Sequence, residues 1–498
     1  MKHFAFLALF TLLAIGGGIF APVLIVGWYY FLALLRPQFV WDWSLSGDVR
    51  WSLMAGLAAI AAVGLNAKRY LDRMRLNLPM TLMIVFGLVI LFSGVTARHP
   101  GVAMPWVIEY GKILAMALIA CVVIEKLSYA RGLVVMVAAA MAYVGWSVNR
   151  DYLFSGYELR LFENGYGGYD NNGAGLLLAV GVPMAYAAMA AGSGAWRWAV
   201  RGIAVAGGLL MLHGVMLSYS RGAMVSLTAG LAWLAIRHTP RKQAIGLVSL
   251  LVVVVLAMAG REVREEYLST MEYQQDATAQ LRFDSWRAAW EIALKNPVLG
   301  VGVRNANIYS ENFGSDRYGR TIHNQYLQTA ADAGIPAMLL YVALLGAVML
   351  SLHRARTRAL EALQRIDNPQ STLAGELRSV VWMAGGLESA IVTFSAGAMF
   401  LSLETFEFAW LILALGTALP GLVERRIAEA EADHEAEAPQ PDDAATENPS
   451  ERVAVEPVGA GAYVAGVRRA AHPVADRSPA WAGAASTGIA APLPQRMR

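Results

Sequence analysis

An all-α protein that crosses a membrane many times is the fold this sequence predicts. Three observations carry it: 57% of its 498 residues are apolar, only 15% are charged, and the apolar residues fall in runs of membrane-spanning length. A soluble domain carries roughly a quarter charged residues. A chain this long and this poor in charge cannot cover itself with polar surface in water, so lipid must solvate much of it. Because a spanning helix needs about 20 mainly apolar residues, the runs at 4–36, 51–66, 79–96, 105–124, 131–148, 173–191, 201–219, 222–236, 243–260, 334–352, 379–401 and 405–423 read as spans. About twelve crossings follow. The 4–36 block is too long for one straight crossing, and both a broken helix and a short hairpin fit it. Lys2 with the apolar stretch Phe4 to Ile15 resembles a signal peptide, but it runs through Gly16-Gly17-Gly18 into more apolar sequence. It is expected to stay as a membrane segment.

Basic residues set the orientation, since cytoplasmic loops carry the excess of Lys and Arg. One set of short loops holds Lys68, Arg69, Arg73, Arg75, Lys126, Arg131, Arg197, Arg201, Arg237, Arg241, Lys242, Arg354, Arg356, Arg358, Arg365 and Arg378. The opposite set holds Arg50, Arg98, Arg150, Arg160 and Arg221, sixteen against five, so the first set is cytoplasmic. That puts 149–172 and the long segment 261–333 outside. Four regions result: N-terminal spans over 1–260, an external loop over 261–333, C-terminal spans over 334–423, and a tail over 424–498. The tail opens with eleven acidic residues against three arginines over 424–456 and continues in Ala, Gly, Pro and Arg. Such a segment buries too little apolar area to offset its ordering entropy, and a disordered cytoplasmic tail is expected.

Composition also excludes several classes. A formal net charge of +3 without an aromatic-interleaved basic stripe does not suit nucleic acid. The single cysteine, Cys121, rules out a disulfide framework or a CxxC pair. The external loop has no carboxylate cluster or DxD-like pair to hold Mg²⁺, so neither a metal nor another cofactor is expected.

The long external loop is the expected functional centre, since loops of that size are functional or disordered. From Arg282 it reads RFDSWRAAWEIALKNP, with Phe283, Trp286, Trp290 and Ala293 at helical spacing. This aromatic stripe is expected to pack on the spans or the lipid interface. Asn296-Pro297 stops the helix, and Gly300 and Gly302 permit a tight turn. A second short helix is predicted from Thr321 as N-cap, which places His323 in a first turn where the helix dipole favours neutral imidazole. Neutral imidazole is what a general base needs, although a capping or packing histidine fits the position as well.

Arg221 lies at the external end of a span after Ser218-Tyr219-Ser220, where positive charge is disfavoured. Snorkelling to the headgroups and clamping an anion both account for it. Among the other polar residues at membrane depth, Glu109 and Lys112 are three apart and can neutralise each other. His213 and Glu388 have no partner visible in sequence. The motif YGGYDNNGAG (166–175) reads as a helix-opening turn with Asn capping.

The segments GYDNNGAGLLLAVGVPMAY (168–186), SYSRGAMVSLTAG (218–230), RFDSWRAAWEIALKNPVLGVG (282–302) and HNQYLQTAADAGIPAMLLY (323–341) together resemble the O-antigen ligase and O-antigen polymerase superfamily. Regions 142–186 and 262–300 are also similar to the exosortase-A-associated O-glycosylation ligases. The resemblance implies an inverting, metal-independent transfer of a glycan from an undecaprenyl-diphosphate carrier to a hydroxyl acceptor, such as a lipid A core sugar. It implies that Arg221 and Arg282 hold the diphosphate and that His323 takes the acceptor proton. Ser220, Asn324 and Lys112 are the further candidate substrate contacts. Asp332 stands where the family usually has Glu, and it is left out of the site. Three other readings remain: a polymerase extending the lipid-linked chain, a transporter of lipid-linked glycan, and a scaffold recruiting partners through the acidic tail.

Overall fold

The computed structural model describes residues 2–238 and 277–437, less short gaps at 46–48, 73, 75, 157–159, 193, 317 and 404, and isolated positions 242, 245, 246 and 249. The expected span 243–260, the start of the external loop at 261–276 and the tail beyond Glu437 lie outside the described residues. In chain order the helices are α1 (Lys2–Phe20), α2 (Val23–Leu35), α3 (Pro37–Val40), α4 (Trp51–Leu65), α5 (Ala67–Leu71) and α6 (Leu78–Val95). Then come α7 (Pro100–Val123), α8 (Leu127–Phe154), α9 (Arg160–Asn164), α10 (Asn171–Ala188), α11 (Arg197–Leu217) and α12 (Arg221–His238). The chain resumes in α13 (Ala277–Lys295), α14 (Asn305–Tyr309), α15 (Gln325–Ala333), α16 (Ile335–Arg365), α17 (Thr372–Gly397) and α18 (Glu407–Glu437). Among the described residues ten helices are long and apolar enough to cross a membrane, and α4 is a shorter apolar helix. The chain is therefore a multi-pass, all-α membrane protein.

The 4–36 block is a hairpin. Trp28 Nε1 donates to Thr11 Oγ1 at 2.9 Å, and His3 stacks on Trp41 with ring centroids 4.8 Å apart, so α1 and α2 run antiparallel. Pro22, which cannot continue a helix from α1, marks the turn. At the turn end Asn66 donates to Ile19 O, which aligns the tip with the far end of α4.

Burial separates central from peripheral helices. The spans of α10, α17 and α18 are 72% buried within the bundle, against 17% for α1. The centre packs closely because small residues meet there. A Cβ added to Gly230 would lie 1.9 Å from Thr393 Oγ1, and one added to Gly386 would lie 2.6 Å from Pro183 O. Without solvent to drive helices together, such close backbone approach and the Ser389-to-Gly230 carbonyl hydrogen bond of 2.7 Å hold α12, α17 and α10 in contact.

Glu388 has a partner that sequence did not show. Its Oε2 lies 2.7 Å from His238 Nε2 and accepts from Trp233 Nε1 at 3.2 Å, with both members of the pair almost wholly buried. His213 Nδ1 meets Asn149 Oδ1 at 2.5 Å. Glu109 and Lys112 pair with each other at 2.5 Å, as their spacing suggested.

The expected boundary at 424 is corrected: α18 runs on to Glu437. Its last turns, VERRIAEAEADHEAE, are rich in Ala, Glu and Arg, which are strong helix formers. Arg426 also binds Glu376 of α17 at 2.6 Å and anchors the extension.

A lobe at one end of the bundle

Helices α13 to α15 form a small lobe with its own core of Ala289, Ile292, Val301, Ala306, Ile322 and Ala331. Trp286, Tyr309, Phe313 and Leu327 pack against that core. The stripe expected along α13 is thus split, with Trp286 and Ala293 turned inward while Phe283 and Trp290 stay exposed. The lobe has a second partner surface, its own 301–331 segment, which local periodicity could not reveal.

Asp332 is the knot of the lobe. Its Oδ2 accepts from Arg304 N at 2.8 Å and from Gln328 Nε2 at 2.8 Å, and its Oδ1 accepts from Ala306 N at 3.0 Å. These bonds pin the turn in which Gly300 and Gly302 take φ of +65° and +107°. The lobe is tied to the bundle by Ser93 Oγ to Asp332 O at 2.8 Å, Arg98 N to Val301 O at 3.1 Å, and Gln325 N to Ala398 O at 2.7 Å.

Candidate functional site

His323 sits where the lobe meets the bundle. The predicted N-cap at Thr321 is corrected: α15 begins at Gln325, and Asn324 caps it, its Oδ1 accepting from Tyr326 N and Leu327 N at 3.0 Å each. His323 therefore precedes the cap and takes a left-handed φ of +55°. Its Nδ1 is buried and finds no hydrogen-bond partner among the described residues.

Burial pushes the His323 imidazole down to a pKa of about 4, and Arg282 reinforces the shift, with smaller contributions from Arg320 and Arg304. The Asp170 carboxylate acts in the opposite sense. The imidazole is thus neutral across the ordinary pH range. The positive end of α15 behind it works in the same direction.

Arg221 opens α12 behind Tyr219, whose φ is +51°. Ser220 closes this helix end: its Oγ accepts from Ala223 N at 3.2 Å and donates to Asn172 Oδ1 at 2.9 Å. The segment 398–403 joins this end to His323. A Cβ on Gly222 would lie 3.1 Å from Phe400 Cβ. Ala398 O takes the Gln325 N–H, and Leu403 N donates to Gln325 Oε1.

The turn before α10 forms the third wall. Asp170, not an asparagine, is its cap, with Oδ1 accepting from Gly173 N at 2.8 Å. Tyr166 and Tyr169 exchange backbone hydrogen bonds of 3.0 and 2.9 Å, and Arg36 lies over the Tyr169 ring at 4.2 Å while donating to Gly167 O. Burial raises the pKa of both tyrosines above the ordinary value, so they stay neutral hydrogen-bonding groups.

Of the residues singled out from sequence, Arg282 faces His323 electrostatically, and Arg221 reaches the same end of the bundle. Ser220 and Asn324 act as helix caps. Lys112 pairs with Glu109 and acts on Glu407, and it is not among the strongest charges on His323. Sequence reasoning missed Arg304, Arg320 and Asp170. Arg304 stacks on Trp106 at 4.2 Å, and Arg320 pairs with Asp316 at 3.1 Å. The only available signals were an arginine just after two turn glycines and an aspartate at a helix start.

The geometry defines a class: a multi-pass α-helical membrane protein with a neutral histidine and several guanidinium groups gathered at one end of its bundle. Residues 206–342 match the family model described as O-antigen ligase, which spans Arg221, Arg282 and His323. Residues 1–156 match a second model, described as a family of unknown function (DUF5935). No curated protein matches the chain. The O-antigen ligase match covers the stretch of chain that carries Arg221, Arg282 and His323, and it supports a membrane glycan enzyme of the ligase or polymerase type.

Proposed function

We propose that the protein moves a glycan from an undecaprenyl-diphosphate carrier to a hydroxyl acceptor on the periplasmic face of a bacterial inner membrane. The acceptor is a lipid A core sugar or another envelope glycoconjugate, and the reaction inverts the anomeric centre. The observation that carries this reading is a neutral His323 beside arginines at a helix-capped membrane end. Arg221 and Arg282 hold the diphosphate and take up the negative charge that grows as the glycosidic bond to phosphate breaks. His323 accepts the acceptor hydroxyl proton as its oxygen attacks the anomeric carbon, a role worth typically about 10²–10⁴-fold. Donor binding itself makes the base stronger, because the diphosphate brings negative charge to the arginines that depress it.

The resemblance to the exosortase-A-associated ligases makes a non-lipopolysaccharide acceptor worth including. A polymerase reading uses the same donor and differs only in the acceptor.

The test is transfer by purified protein in nanodiscs, with undecaprenyl-diphosphate glycan, EDTA, and each acceptor offered separately. Product with one acceptor, lost in Arg221→Gln and His323→Asn, is the expected result. Carrier translocation across vesicles without any product overturns it in favour of transport.

A further inference from the structure

Helix α13 has an apolar edge that neither the lobe nor the bundle covers among the described residues. Its packed face is Ser285, Ala288, Ala289, Ile292 and Ala293, all fully buried. Along a neighbouring line run Phe283, Trp290 and Leu294, which are 43%, 41% and 55% exposed. Their i, i+7, i+11 spacing sets them in one row on the helix. The row continues past the helix end into Val298 and Leu299, also exposed. Exposed Arg287 and Glu291 flank it on one side, and half-buried Arg282 and Trp286 flank it on the other.

The place of this edge says what covers it. Arg98, between α6 and α7, donates to Asn296 Oδ1 at 2.6 Å, and Ile335 N, the first residue of α16, donates to Pro297 O at 2.8 Å. The end of α13 is therefore fastened to the tops of three spans. Those tops carry outward Phe92, Val95, Val102 and Leu339, the surface that faces lipid. Leu294, Val298 and Leu299 extend apolar surface from that level. A packed face, an apolar edge with Trp and a charged edge are the sectors of a helix lying in the lipid interface.

We infer that α13 rests on the bilayer surface through Phe283, Trp290, Leu294 and Val298, and that this lipid contact sets the depth of Arg282. Around the helix Arg282 sits on the far side of the apolar row from Arg287, facing the site. Seating the row in lipid puts the Arg282 guanidinium at the level of the lipid phosphates. The consequence for Arg282 rests on the diphosphate reading above, and the lipid contact does not.

Two measurements separate them. Spin labels are placed singly at 287, 291, 294 and 298 in a Cys121→Ser background in nanodiscs. Labels at 294 and 298 should relax with oxygen and be shielded from a water-soluble nickel complex, and labels at 287 and 291 should show the reverse. Nickel access at 294 and 298 equal to that at 291 refutes the contact. Shielding of 294 and 298 from both reagents also refutes it and identifies a protein cover, such as a second copy. In the second measurement, Trp290→Glu with Leu294→Glu should lower kcat/KM for the undecaprenyl donor about tenfold. The same variant should leave a short-chain, water-soluble donor within about twofold. Equal losses on both donors refute a depth-setting role. Lipid-depth labels with no transfer by any form leave the contact standing and remove the enzymatic reading instead.

Discussion

Replacing Arg282 by Gln tests the electrostatic account of the base. Burial and then Arg282 bring the His323 pKa from 6.5 to about 4, which disfavours the imidazolium by about 3 kcal/mol. Arg282 is the largest charge contribution to that shift, behind burial. The acid limb of kcat/KM, which reports the free enzyme, should therefore lie near 4 in the wild type and rise in Arg282→Gln. The limb of kcat, which reports the donor complex, should lie above that of kcat/KM in the wild type. At pH 7 the variant should also lose about 10²–10³-fold in rate, the usual cost of one charge-stabilising donor. Asp170→Asn should move the limb the other way, since its carboxylate favours the imidazolium. The assay is initial-rate transfer in nanodiscs with a fluorescent lipid-linked glycan across the acid range. A wild-type kcat/KM limb at the ordinary histidine value would refute the reasoning, as would a limb that Arg282→Gln leaves unmoved. Stability follows the same sign. The folded pKa lies below the unfolded one, so the contribution of His323 is complete above about 6.5 and is lost as pH falls toward 4.

Asp332→Ala removes the acceptor of the Arg304, Ala306 and Gln328 bonds and leaves two buried N–H groups unmet, at a cost of roughly 3 kcal/mol. Its detergent melting temperature should fall and its lobe become sensitive to protease, and unchanged melting would show that the turn holds without it. Glu388→Ala and His238→Ala should each destabilise by about 3–5 kcal/mol, with the double variant closer to wild type than their sum. Lost activity with unchanged melting would instead place this pair on a path used by substrate or protons.

What sequence could show was what local pattern determines. Runs of apolar residues placed the spans because the lipid requirement acts along the chain itself. Asn296-Pro297 ended α13, and Gly300 and Gly302 made the turn, because torsion limits are local too. The hairpin of α1 and α2 was left open because nothing within 4–36 tells a kink from a reversal. The Trp28–Thr11 and His3–Trp41 contacts decide it. Trp286 was assigned to the spans or the lipid interface because its buried partners, Val301 to Ala331, come later in the chain. Of the charges around His323, Arg282 was named beforehand, and Asp170, Arg304 and Arg320 were not. They come from separate segments, and spacing carries no record of that convergence.

The left-handed backbone at His323 reaches beyond its own strain. With no hydrogen-bond partner on Nδ1 among the described residues, main-chain torsion and packing, rather than an orienting acid, aim the ring. Alanine there removes the imidazole and keeps the cost of about 1–2 kcal/mol that any residue with a Cβ bears in the left-handed region. Glycine adopts the same torsion freely and leaves a ring-shaped vacancy. Added free imidazole should therefore restore turnover to His323→Gly more fully than to His323→Ala, so chemical complementation can report on the shape of this backbone.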